Sequence, residues 1–448
     1  MRERRLTIPV KFVFSLGDQT VNLVLNAMTL LYFRYLTDEI HFSGLLAGLV
    51  PWIGRIVDAF TDPAMGRISD RTRWRWGRRR PYLLMGCVPF GVSFALLWVD
   101  VPFASDLSRF AYYAAVYLIM SVAMSVCSVP YLALIPEMSR DYDERTSLNT
   151  WRAALAITGV FGAVGMSLLA LRLGDDVRAW NLAAGIVAVW LILPWFAVHA
   201  VTWERPVDHS APAMRLAEGL RVLWRHDTYR ILSATFITGR IAIDVVSTML
   251  IYYVSWVLGR RGDFEYVMIV FVGVVLVAMP FWLRLSRRLD KRSVFIAGVL
   301  WWAVAQAVIG FGGPEWPRWV VFAVAAFAGV GYAVADFMPW AMLPDVIDED
   351  EVRTGERREG LYTGMFTFLR KIGGATAVLV IGGVLDLSGY DGSLEAQPDQ
   401  ALLAIRVLVA LVPVALLLLS AWLARRYPLS REAHRALLAQ LEARPAAR

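Results

Sequence analysis

Apolar runs of about 20 residues recur from one end of the chain to the other, separated by short polar segments. A helix of that length covers the hydrocarbon thickness of a bilayer, so each run predicts a membrane-spanning helix. Twelve such spans are read, at about 12–34, 43–66, 81–99, 109–135, 150–172, 179–203, 229–256, 264–286, 293–312, 317–343, 360–386 and 400–424. No separate soluble domain fits between them. The connections are short except for 204–228, where Pro206, Pro212 and a basic amphipathic stretch from Arg215 to Arg225 predict a linker.

The pattern repeats. Span four ends Val129-Pro130-Tyr131-Leu-Ala-Leu-Ile-Pro136-Glu137, and span ten ends Met338-Pro339-Trp340-Ala-Met-Leu-Pro344-Asp345. Each is followed by a loop of mixed charge and then by a span carrying a cation, Arg152 in span five and Lys371 in span eleven. The loops after spans two and eight are both strongly basic. The chain therefore divides into a six-helix half at 1–203, a linker at 204–228, a second six-helix half at 229–425 and a tail at 426–448. The predicted class is an all-α polytopic membrane protein of twelve transmembrane helices in two six-helix halves. Parallel halves of this kind are the architecture of major facilitator transporters, which place the solute site between the halves at mid-membrane.

Composition agrees: 58% of the 448 residues are hydrophobic. The net charge of +7 is a matter of topology and not of nucleic acid, because the basic residues cluster in particular loops. Arg67, Arg71, Arg73, Arg75, Arg78, Arg79 and Arg80 follow span two; Arg284, Arg287, Arg288, Lys291 and Arg292 follow span eight. The opposite loops 35–42, 100–108 and 387–399 carry no Lys or Arg, with Arg260 and Arg261 the exception on that side. Both termini, the linker and the tail are thus expected in the cytoplasm, and the protein in the cell (plasma or inner) membrane. Met1-Arg-Glu-Arg-Arg leads into a first span too long for a cleaved signal, so that helix is expected to be retained. Cys87 and Cys127 lie inside apolar spans, which argues against a disulfide framework or a metal site and for two buried small side chains.

Ionisable groups inside the spans change the picture most, since a charge at the bilayer centre costs roughly 3 kcal/mol even on the most lenient scale. The acids are Asp18, Asp58, Asp62, Asp244 and Asp336; the bases are Arg55, Arg152, Arg240 and Lys371, with Arg370 beside the last. Asp58 and Asp62 are four apart and share a helix face that Arg55 borders. Two close carboxylates among oxygen-bearing neighbours suit Na⁺ or a shared proton. A structural ion-pair cluster is the alternative. Pro63 removes a backbone donor at that depth. Arg240 and Asp244 form a possible in-helix pair. Lys371 or Arg370 is the expected partner of Asp336, which stands for either neutralisation or solute contact. Asp18 has no in-helix counter-ion, and a solute or gating role is expected for it. Among the aromatics near these groups, Trp52, Tyr131, Trp151, Trp340 and Tyr362 could stack on sugar rings or pack on acyl chains. In the loops, Asp70 with Arg71, and Glu137, Asp345 and Asp348 with neighbouring arginines, are expected to gate alternating access. No nucleotide loop, hydrolase elbow or zinc spacing occurs, so neither an enzyme nor a cofactor is expected.

Asp58-Ala-Phe-Thr61-Asp62-Pro63, Gly66, Arg75-Trp-Gly77-Arg-Arg-Arg80-Pro81-Tyr, the segment 129–137, Asp141-Tyr-Asp-Glu-Arg145-Thr, and Asp345-Val-Ile-Asp348-Glu through Gly360 together resemble the glycoside–pentoside–hexuronide cation symporters. This is the melibiose-permease-like family of the major facilitator superfamily. The landmarks run from span one to span eleven. The resemblance implies Asp58 and Asp62 as cation-site carboxylates with Thr61 and Ser125 as oxygen ligands. It implies Asp18 and Arg152 at the sugar site, and Lys371 as the electrostatic link between the two sites. It also shows departures. Thr61 stands where Asn is usual, Ser125 for Thr, Ser128 for a sugar-binding Asp and Leu132 for a Trp. The last two remove a carboxylate and a stacking ring and point away from a galactoside.

The expected function is cation-coupled (Na⁺ or H⁺) symport of a glycoside or related sugar by alternating access. Asp58, Asp62, Thr61 and Ser125 would hold the cation. Asp18, Arg152, Ser128, Tyr131, Lys371 and Trp340 would hold the solute. Arg55, Asp70, Arg71, Asp336 and Lys371 would couple and gate. A lysophospholipid or other amphipathic solute is the alternative within transport, and a non-transporting receptor or structural protein the alternative outside it.

Overall fold

The structure is a computed structural model that describes residues 6–103, 105–139, 141–204, 223–356 and 358–442. Among the described residues every regular element is a helix. Helix α1 (Ile8–Ala27) opens with Pro9 in its first turn, where a missing N–H leaves nothing unsatisfied. Two π turns, Met28–Tyr32 and Tyr35–Glu39, carry it beyond the predicted end of the first span. Buried Tyr32 and Tyr35 hold that extension by packing on Trp98. Then follow α2 (Gly44–Arg71), α3 (Arg80–Leu96), α4 (Asp106–Met138), α5 (Tyr142–Leu173) and α6 (Val177–Val201). The remainder is α7 (Asp227–Tyr252, extended by the π turn Tyr253–Val257), α8 (Phe264–Ser286), α9 (Lys291–Ile309), α10 (Arg318–Thr354) and α11 (Glu359–Leu387). Next comes α12, which runs Asp399–Arg406, through a π turn at Val407–Leu411, to Val412–Ala424.

These helices fall on the predicted spans. Ten are long and apolar enough to cross a membrane; α3 is apolar but shorter at 17 residues, and α1 carries Lys11 and Asp18. A further helix, α13 (Arg431–Glu442), lies in the predicted tail. Residues 205–222, most of the predicted linker, lie outside the described residues, as do 443–448.

Local chemistry sets the ends. Asp141 and Asp176 accept the N–H of Glu144 and Ala179, each at 2.8 Å, and so cap α5 and α6. Gly355, with φ 77°, stops α10 at Thr354, well past the predicted end at 343, because the acidic run before it continues the helix.

The chain forms two compact units. One comprises Met1–His209 with Leu379–Glu395, the other Ser210–Val378 with Ala396–Arg448. In the first, α1 packs along α5, α2 and α3 along α4, and α3 along α6. Gly54 permits the α2–α4 approach: a Cβ there would stand 2.2 Å from the Tyr117 ring. The end of α11 joins this unit, with the Asp386 carboxylate accepting the first N–H groups of α2, from Gly44 at 2.5 Å and Leu45 at 2.9 Å. In the second unit α9 packs on α10 and α12, α7 on α12, and α8 on α10. Its core is built around Trp302, Phe366 and Tyr362. Cys87 and Cys127 are both buried and free.

Candidate functional site

In the first unit, α2 presents Asp58 and Asp62 one turn apart, and α4 presents Ser121 and Ser125 with the same spacing. The two helices meet in register. Ser121 Oγ donates to Asp58 Oδ1, and Ser125 Oγ donates to Asp62 Oδ1 at 2.5 Å, each pair separated by 63 residues in sequence. Asp58 is fully buried, and Ser121 and Ser125 nearly so. Arg55 Nη1 lies 3.6 Å from Asp58 Oδ2 and offsets one negative charge. Thr61 Oγ1 reaches back to the Asp58 carbonyl at 3.5 Å, the outer limit for a hydrogen bond, so its main tie is to its own helix. These contacts bring two carboxylates and two hydroxyls together beside the Arg55 guanidinium. Oxygen donors without nitrogen or sulfur fit a hard cation or a proton. Ser121 was not anticipated, although its four-residue spacing from Ser125 mirrors Asp58 and Asp62.

A second cluster joins α1, α4 and α5. Arg152 meets Asp18 in a two-pronged pair, Nε to Oδ2 at 2.6 Å and Nη2 to Oδ1 at 3.0 Å, and also donates to Asn149 Oδ1 at 2.7 Å. Asp18 thus has a counter-ion 134 residues away in sequence, where none exists on its own helix. The Tyr131 hydroxyl lies 2.5 Å from Asp18 Oδ2 and 2.9 Å from the Phe14 carbonyl. Its ring is stacked on Phe14 and met edge-on by Trp195. At 1% exposure, Tyr131 is enclosed by its neighbours and orients Asp18 through its hydroxyl, and does not present an open stacking face. Ser128 is half-buried on the same helix, and Leu132 is exposed.

In the second unit, Arg240 holds Asp244 with two bonds, Nη2 to Oδ1 at 2.5 Å and Nε to Oδ2 at 3.2 Å, and reaches Asp336 Oδ1 with Nη1 at 3.0 Å. The partner found for Asp336 is thus Arg240 of α7, in place of Lys371 or Arg370. Gly374 of α11 leaves the room: a Cβ there would stand 2.4 Å from Asp244 Oδ2. Trp340, half-buried, packs edge-on against Phe236 and Phe366. Lys371, also half-buried, lies on α11 of this unit.

Some of the loop charges pair differently from expectation. Asp70 meets Arg79 at 2.5 Å, not its neighbour Arg71, which is exposed. Adjacent residues on a helix point about 100° apart, so Asp70 is free to face the start of α3. Buried Glu137 accepts from both Arg78 and Arg79. In the second unit Lys291 meets Asp345 at 2.7 Å, and His434 of α13 lies 3.0 Å from Asp348. Each of these bridges closes inside its own unit.

A family model described as MFS/sugar transport protein matches residues 13–431. The chain belongs to that family. The putative glycoside/cation symporter YagG of Escherichia coli (strain K12) is 28% identical to it, over 92% of this chain and 90% of that protein. The sodium-dependent lysophosphatidylcholine symporter 1 of Mus musculus is 26% identical, over 97% of this chain and 88% of that protein. Among solved structures, a D-xylose-proton symporter superposes with a TM-score of 0.67 at 14% identity, over 95% of this chain and 98% of that one, which is a likeness of fold. The protein is a multi-pass membrane transporter with the all-α major facilitator fold.

Proposed function

We propose that the protein is a secondary transporter that moves a sugar together with Na⁺ or H⁺ by alternating access. The observation that carries this reading is the register of Asp58 and Asp62 with Ser121 and Ser125. It sets two carboxylates and two hydroxyls at membrane depth, where charge is retained for function. A cation entering this cluster would relieve repulsion between the carboxylates, with Arg55 moderating the field at Asp58. Asp18 and Arg152 supply both acceptors and donors for sugar hydroxyls, held in orientation by Tyr131 and Asn149. Trp340 and Lys371 are the solute-facing candidates of the second unit, and Asp70–Arg79 and Asp336–Arg240 the candidate gating pairs. Cation and solute would favour each other reciprocally, by about 5–150-fold for a typical coupling of 1–3 kcal/mol. The cation is cargo, and no cofactor or catalysis enters. Charge asymmetry supports an inner-membrane location with both termini in the cytoplasm.

A lysophospholipid is the second reading. The mouse relative is named for that solute, and Ser128 and Leu132 stand where a sugar site would carry a carboxylate and a ring. Uptake into proteoliposomes under separate Na⁺ and proton gradients, with glycosides, pentosides, uronides and lysolipids, decides between them. Accumulation of a sugar under one gradient supports the first reading, and of a lysolipid the second. A folded preparation that moves neither would return the chain to a non-transporting role.

A further inference from the structure

A cavity of about 500 Å³ lies where α3 begins and α6 ends, apart from the Asp58–Asp62 and Asp18–Arg152 clusters. Its wall includes Arg75, Trp76, Arg80, Leu84, Trp203 and Glu204. Glu204 is already committed: its carboxylate accepts the backbone N–H groups of Arg78, Arg79 and Arg80 at 2.8, 2.9 and 2.8 Å, capping α3 from outside. Gly77 makes this possible, with φ at 103° and space that a Cβ would lose to the Glu204 carboxylate, 2.5 Å away. Arg80 donates to the His199 carbonyl at 2.9 Å. The Arg75 guanidinium lies 5.2 Å from the centre of the Trp76 ring and, among the described residues, forms no hydrogen bond or ion pair. Among the described residues, the cavity wall thus carries the guanidinium of Arg75 with no carboxylate partner, beside the exposed indole of Trp76, 53% accessible.

We propose that this cavity binds the headgroup of an anionic phospholipid of the leaflet on the arginine-rich side. The cavity sits where the apolar lengths of α3 and α6 give way to arginines, the depth of a lipid headgroup. Tryptophan rings favour that depth, and basic pockets at the inner leaflet attract anionic lipid. The phosphate meets Arg75 and Arg80, and the glycerol and first methylenes lie against Leu84 and Trp203. Each guanidinium near such a surface is worth about fivefold in affinity.

Native mass spectrometry of the detergent-purified full chain tests this, using phosphatidylglycerol and phosphatidylcholine of identical acyl chains. Phosphatidylglycerol is expected to be retained about fivefold or more over phosphatidylcholine. Arg75→Gln should lower that ratio about fivefold and Trp76→Ala should lower it too, with melting temperature unchanged. Arg73→Gln, outside the cavity, should leave it in place. Equal retention of the two lipids, an unaltered ratio in Arg75→Gln, or an equal fall in Arg73→Gln would overturn the proposal. Inorganic phosphate at about 10 mM should not displace the lipid; displacement would make this a bare anion pocket and overturn the lipid assignment.

Discussion

The Asp58–Asp62 pair of the first unit and the Asp244–Asp336 pair of the second hold their carboxylates with different partners. In the first unit Asp58 and Asp62 each accept from a serine, and Arg55 pairs with Asp58 at 3.6 Å. In the second, Arg240 clasps Asp244 with two bonds and takes Asp336 with a third. A hydroxyl steadies a carboxylate without cancelling its charge. A bidentate guanidinium answers that charge directly, as Arg152 also does for Asp18 in the first unit, so breaking the clasp exposes an uncompensated carboxylate. The intramembrane acids thus carry different expectations, and the partner decides which.

Substitutions separate the two cases. The largest effect is expected for Asp62→Asn, which should reduce gradient-driven accumulation in proteoliposomes to background while the protein still folds. Normal accumulation would place the cation elsewhere. Next, Arg240→Ala should destabilise the protein by roughly 3–5 kcal/mol, the usual cost of orphaning a buried carboxylate. Thermal melting in detergent measures this, and an unchanged midpoint would show the clasp to be dispensable. Ser121→Ala and Ser125→Ala should each weaken the cation's activation of uptake about tenfold or more, since a hydrogen bond to a charged group is worth about 1.5–3 kcal/mol. Ser125→Thr should keep most of it. Wild-type cation dependence in both alanine variants would make the serines packing residues.

The smallest effect concerns charges beyond the spans. Burial pushes the Glu39 carboxyl up to about 7, against the pull of Arg34, whose Nη2 lies 3.7 Å away. The folded protein holds that proton more tightly than the unfolded chain. Stability should therefore fall as pH rises from about 4.5 to 7, and Glu39→Gln should flatten the slope of melting temperature in that window. An unaltered slope would assign the dependence to other groups.

The sequence by itself determined a good deal. Run length gave the spans. Helical periodicity put Asp58 and Asp62 on one face, and the Pro-bearing ends of spans four and ten marked the repeat. These are properties of 1.5 Å of rise and 100° of turn per residue, and they hold for any helix wherever it packs. Tertiary structure decided which groups meet. Asp18 looked uncompensated because its counter-ion lies 134 residues away on α5. Asp336 drew Arg240 from 96 residues away and Asp70 drew Arg79. Ser121 joined Asp58 only because α2 and α4 meet in register, at an approach that Gly54 allows. Periodicity sets the angle at which a side chain leaves its own helix. Which neighbour stands opposite depends on the rotation and offset of a second helix, and packing along the whole length of both fixes those.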